Sequence, residues 1–182
     1  MGSRGGPNPH AMHTVRSMVV EYAITELGDD ESTWPEFAPV MIEVLAPERT
    51  LLEKCALLHN LGAKIAQDQD QVALEYIGRA GRHYYDVARL LSDEGVRDSL
   101  DALGPDGVEK FAANIDEASD NAGWRFEPRP EDRYGVSVAF DADAPCHANA
   151  AAAYESAMPT FDGEAPTFVD VLTTVRKYRH LI

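Results

Sequence analysis

Apolar residues recur at helical spacing over most of the chain, and only two short stretches have the density of a strand. Val15, Val19, Tyr22, Ala23 and Glu26 follow helical spacing, Thr14 stands where an N-cap belongs and Gly28 supplies a stop, so a helix is predicted from Thr14 to about Leu27. "PVMIEVL", residues 39 to 45, has the β-branched and apolar content of a short strand, although one strand needs partners that the chain hardly provides. Pro47 occupies the favoured first-turn position of a helix predicted to about Ala66. After the polar break "QDQDQ", Gly78 and Gly81 divide the next apolar stretch and leave a helix from about Arg82 to Leu91.

Shorter helices are predicted near residues 94 to 103 and 105 to 120, "CHANAAAAYESAM" reads as an Ala-rich helix, and "PTFVDVLTTVRKYRHLI" as a closing amphipathic helix. That last helix carries Arg176, Lys177, Arg179 and His180 near its C-terminus, where cations oppose the helix dipole. "RYGVSVAFDADAP" predicts a second short strand or extended segment. The fold class expected is α+β and mostly α. The length of 182 residues fits one main domain.

The helical wheel places the chemistry. On residues 49 to 62, Leu51, Leu52, Cys55, Leu57, Leu58 and Leu61 fill one broad arc, and Lys54 falls inside it while Arg49, Glu53 and Asn60 lie on the other side. A lysine in an apolar setting needs an anionic partner or a bound anion; a side chain snorkelling to solvent is the competing reading. On residues 82 to 92, Tyr84, Val87, Ala88 and Leu91 face a core, with Asp86 at the edge of that arc beside Leu90 and His83. A Lys54–Asp86 pairing between packed helices would satisfy both groups. Arg82, Asp86 and Arg89 also stand at the spacing of a weak surface ion-pair ladder, which is the alternative for Asp86.

Tyr84 reads as packing and His59 as a core or hinge histidine. His10 and His13 have no partner spacing that points to a metal, and no metal-binding residue is assigned. Asp141 and Asp143 in "DADAP" superficially match an Asp-x-Asp metal motif, but Pro145 follows and no Gly-Ser phosphate loop precedes it, so the segment reads as a turn.

The charge narrows the function classes. Thirty-one acids against 16 bases give a net charge of −15, which argues against a surface that coats nucleic acid; any contact with phosphate must be local. Cys55 and Cys146 belong to no metal-binding spacing and read as free thiols in a reducing cytosol. Residues 1 to 13 lack a signal-peptide core and no run approaches a membrane span, so a cytoplasmic location is expected.

In order along the chain, "RGGPNPH" with "HTVRSMVVEYA", "VLAPERTLLEK", "LLH", "GRHYYDVARLL" and "PTFVDVL" resemble the successive landmarks of the AbiEii-type nucleotidyltransferase toxins of type IV toxin–antitoxin systems, the group that includes the mycobacterial MenT toxins. The resemblance implies the C-terminal helical part of a polymerase-β-like nucleotidyltransferase, with residues 1 to 46 as a remnant of its core and sheet and 47 to 182 as the helical region. It implies a magnesium-dependent enzyme that transfers nucleotides from NTP to RNA, at the 3′ end of tRNA, and that has a cognate antitoxin protein as partner. In that scheme Lys54 contacts the triphosphate, Asp86 completes the catalytic site, and Arg49 and Arg82 are supporting phosphate contacts. The family's Gly-Ser loop and metal-binding Asp-x-Asp lie upstream of the RGGPNP segment, at which this chain starts. The expectation is therefore a chain lacking those motifs, through truncation or a late start codon, with a catalytically inactive module that binds antitoxin or RNA as the alternative.

Overall fold

A computed structural model describes residues 10–68, 71–123, 126–161 and 163–182. The RGGPNP segment lies outside them. The described residues up to Ala46 form one compact unit and Pro47–Ile182 another.

In the first unit, β1 (His10–Val15) pairs antiparallel with β2 (Val40–Leu45), from His10 opposite Leu45 to Val15 opposite Val40. The partner that β2 requires is thus supplied by residues 10 to 15, of which Thr14 and Val15 open the predicted helix. Helix α1 begins later than predicted, at Met18–Glu26, because Ser17 takes the extended N-cap conformation and its hydroxyl accepts from the Val19 N–H. Thr14 is inside β1, where its hydroxyl meets the Met41 sulfur across the strand pair. Ladder hydrogen bonds along the whole of 10–15 outweigh a local helical preference that can be satisfied three residues later.

The second unit is built on α2 (Pro47–Asp68), which packs against α3 (Gln71–Ile77), α4 (Gly81–Ser92) and α5 (Glu94–Asn121). Helix α4 in turn packs on α6 (His147–Ala157) and α7 (Phe168–Tyr178). Within α5, Gly104 adopts φ 65° ahead of Pro105, so the two helices expected at 94–103 and 105–120 occur as two segments across a kink. Thr167 and Asp170 form a reciprocal capping box at the start of α7. The result is α+β and mostly helical, with a two-stranded sheet among the described residues.

Two expectations need correction. "RYGVSVAF" forms two short 3-10 turns, Tyr134–Val136 and Val138–Phe140, in place of a strand. The second presses its backbone against α2 at Gly62, where a Cβ would lie 3.0 Å from the Ala139 nitrogen, and it accepts the Tyr84 hydroxyl at the Ala139 carbonyl at 3.1 Å. Nor is the polar side of α2 solvated. Arg49 and Asn60 are buried, because neighbouring segments also cover that side of the helix; His59 is buried as a core histidine should be.

The tightest approach is at the start of α4, where a Cβ on Gly81 would fall 2.1 Å from the Ala153 carbonyl oxygen of α6. Backbone on both sides leaves no flexible side chain to yield. Gly81→Ala is therefore expected to destabilise the protein by about 3 kcal/mol or more, at the upper end of overpacking costs. Urea denaturation of the variant beside the parent protein checks this.

Candidate functional site

Lys54 and Asp86 meet between α2 and α4. The Lys54 Nζ donates to Asp86 Oδ2 at 2.7 Å, and the two side chains are 21% and 23% exposed. Each is placed by its helix. Leu51, Leu52, Cys55 and Leu58 anchor α2 while Tyr84, Val87, Ala88 and Leu91 anchor α4, so the charged groups emerge where the two apolar faces end. The ion-pair ladder with Arg82 and Arg89 is not what Asp86 uses; Arg89 lies 6.0 Å from the Tyr85 ring centroid.

A third residue joins the pair. The Lys54 Nζ is 3.4 Å from His83 Nδ1. An ammonium has donors only, so in a hydrogen bond at this contact Nδ1 is the acceptor. His83 lies one turn before Asp86 on the same face of α4, which is the signal that could have nominated it from the sequence. Two of the three Lys54 donors are thereby directed within the protein, and the third can meet an anion at the rim.

The other two expected phosphate contacts are placed differently. Arg82 is exposed and stands one helical turn before Asp86. Arg49 is 1% exposed and lies on another face of α2; its Nε donates to Glu53 Oε1 at 3.0 Å and one Nη to Asn114 Oδ1 of α5 at 2.9 Å. The structure brings Lys54, Asp86 and His83 together and leaves Arg49 in the α2–α5 interface.

His59 is a core group. Its Nδ1 is 2.8 Å from the Ser137 hydroxyl and its Nε2 3.0 Å from the Pro128 carbonyl, so Nε2 carries the proton and donates. Burial pushes its pKa down, against the pull of the Pro128 carbonyl and of Glu127. Cys55 and Cys146 are free and buried, and burial pushes both thiols up. Asp141 forms a turn in which its carboxylate accepts the Asp143 N–H at 3.0 Å.

A magnesium ion needs several converging oxygen ligands. Among the described residues no three His, Cys, Asp or Glu side chains converge, Asp86 is engaged by Lys54, and Asp141 closes its own turn. The described residues do not fit a magnesium site by themselves. No helix among them is long and apolar enough to cross a membrane.

A further charged cluster is structural. Arg129, 5% exposed at its side chain, pairs with Glu109 and lies 5.6 Å from the centroid of the Tyr134 ring. Burial, reinforced by Glu109 and opposed by Arg129, pushes the Asp116 carboxyl up to about 6. A raised carboxyl pKa favours the protonated form in the fold; its contribution is intact below the unfolded value and is lost as pH rises through about 6. Asp116→Asn is expected to stabilise by about 1 kcal/mol at pH 7.5, after allowance for solvent screening, and by close to nothing at pH 4. Denaturation midpoints at the two pH values check it. For the Lys54–Asp86 pair, a double-mutant cycle to alanine is expected to give a coupling of about 1–2 kcal/mol, above exposed pairs and below the loss from breaking a fully buried one.

Among protein families, the model of the nucleotidyl transferase AbiEii toxin, type IV toxin–antitoxin system, matches residues 7–174. No curated protein and no solved structure matches the chain.

Proposed function

The chain belongs to the AbiEii family of nucleotidyltransferase toxins of type IV toxin–antitoxin systems, and on that premise we propose that it transfers a nucleotide from NTP to RNA, at the 3′ end of tRNA, with Lys54 and Asp86 at the site. The single observation behind the residue assignment is the lysine held in an apolar setting at 2.7 Å from a carboxylate, with donor capacity left at the rim. In the transfer, the RNA hydroxyl attacks the α-phosphorus, a new phosphodiester forms, the bond to pyrophosphate breaks, and the hydroxyl proton passes to water. Lys54 offers its ammonium to the triphosphate, where charge grows on the leaving pyrophosphate. Asp86 fixes the direction of that ammonium and places a carboxylate beside the reacting groups. His83 holds Lys54 from the other side, and Arg82 is close enough along α4 to add a mobile phosphate contact.

Nucleotidyl transfer is typically metal-dependent, and magnesium is the ion we propose. Held by oxygen ligands that the described residues do not supply by themselves, it would neutralise charge at the phosphates. As a toxin of a two-component system, the protein has an antitoxin as its partner. The net charge of −15 favours a basic antitoxin surface.

The test is labelling of tRNA from α-labelled NTP in the presence of magnesium. Lys54→Ala is expected to reduce labelling at least about 10²-fold, the usual cost of one preorganised charge-stabilising group, while Lys54→Arg retains part of it. Labelling that survives Lys54→Ala undiminished rejects the assignment of this lysine.

A further inference from the structure

A second place on the molecule has the chemistry to hold a phosphate. Leu172, Val175 and Arg176 of α7, with Arg179 at its C-cap, form one strip at positions i, i+3, i+4 and i+7, and this strip lines a cleft of about 200 Å³ facing the 3-10 turns. Its apolar floor includes buried Leu172, Val175 and Phe140, and its cationic rim is Arg176 and Arg179. Asp141 is the one carboxylate lining it, and that group already accepts the Asp143 N–H.

The cleft is held in shape from both sides. A Cβ on Gly135 would sit 2.5 Å from the Arg179 Cβ and 2.6 Å from its Cα, so the turn and the helix end fit only with glycine there. Arg133, at φ 70°, donates to the His180 carbonyl and ties the same turn to the end of α7. Dipole compensation alone asks only for cations in the last turn. It does not explain why two of them flank a cleft while Lys177 lies over the Tyr178 ring at 4.8 Å from its centroid.

Charge pairing separates these arginines from some of the other bases, and their place on one cleft separates them from Arg82 and Arg89, which also lack a carboxylate partner among the described residues. Arg16, Arg49, Lys54 and Arg129 are each committed to a carboxylate, with Glu31, Glu53, Asp86 and Glu109. Among the described residues no carboxylate lies within ion-pair distance of Arg176 or Arg179. With 31 acids against 16 bases, most of the surface repels a polyanion, so two guanidinium groups without a carboxylate partner on the rim of one open cleft offer a local landing point. A volume of about 200 Å³ is below the about 300–1,000 Å³ of pockets for whole small molecules, which selects a single phosphate group over a complete nucleotide.

We propose that this cleft binds a backbone phosphate of the polynucleotide acceptor. The choice of acceptor rests on the function proposed above; the cleft and its arginines do not. The experiment is fluorescence anisotropy of a labelled tRNA with the full chain over a salt series, comparing the parent, Arg176→Gln/Arg179→Gln, and Arg89→Gln as an exposed-arginine control. The double variant is expected to bind about tenfold or more weakly and to lower the slope of log affinity against log salt by about 1.4–1.8, for two lost phosphate contacts. The control is expected to change neither. Equal affinity and slope in parent and double variant overturn the proposal, as does a parent chain that binds no RNA, or one that binds a polyglutamate peptide as tightly as tRNA. NTP binding measured without RNA separates the two readings. Its loss in Lys54→Ala with retention in the double variant upholds the Lys54 assignment whether or not the cleft binds RNA.

Discussion

The second unit depends on the enclosure of α2. Most of its length is covered by neighbouring segments, so the polar groups it carries must find partners inside the protein or at its edge. Arg49 reaches Glu53 and Asn114, His59 reaches Ser137 and the Pro128 carbonyl, and Asn60 accepts the Glu127 N–H at 2.8 Å. These bonds tie α2 to α5 and to the segment between α5 and α6. A slip of α2 by one residue would break all of them at once, each at about 1–3 kcal/mol for a buried group left unpaired. Satisfaction is not complete: one Nη of Arg49 and the Nε of Arg129 are buried without a partner.

The same enclosure sets what was legible in the sequence. The wheel separates Lys54 from solvent and turns Asp86 towards a neighbouring helix, and the two do meet, because apolar periodicity fixes which faces of two helices pack. Helix starts and stops marked by Pro47, Gly81 and the Gly104–Pro105 pair follow from backbone restrictions that need no tertiary information. The burial of Arg49 could not be read in this way. Its partner Asn114 is 65 residues distant, and a periodic pattern distinguishes apolar from polar faces without saying whether a polar face is covered.

The two misread segments have a common cause. Thr14 and Val15 can open a helix or close a strand, and "RYGVSVAF" alternates as a strand would. Their fates are decided by non-local contacts. The first is claimed by the β2 ladder, and the second finds no strand partner and folds under Gly62 as 3-10 turns. Local propensity differences of about 1 kcal/mol or less per residue are easily overridden by either kind of contact.

Stability alone is a poor reason for an ion pair at the Lys54 position. A charged pair at the edge of a core is often no better than a well-packed apolar pair of similar volume, because desolvation offsets most of the Coulomb attraction. A leucine at 54 would continue the arc of Leu51, Leu58 and Leu61, and an apolar residue at 86 would extend that of Val87 and Leu90. What an apolar pair lacks is a cation whose direction is fixed by two neighbours, the Asp86 carboxylate at 2.7 Å and His83 Nδ1 at 3.4 Å. A fixed ammonium beside a low-dielectric core is preorganised, so a charge of that kind acts with little reorganisation.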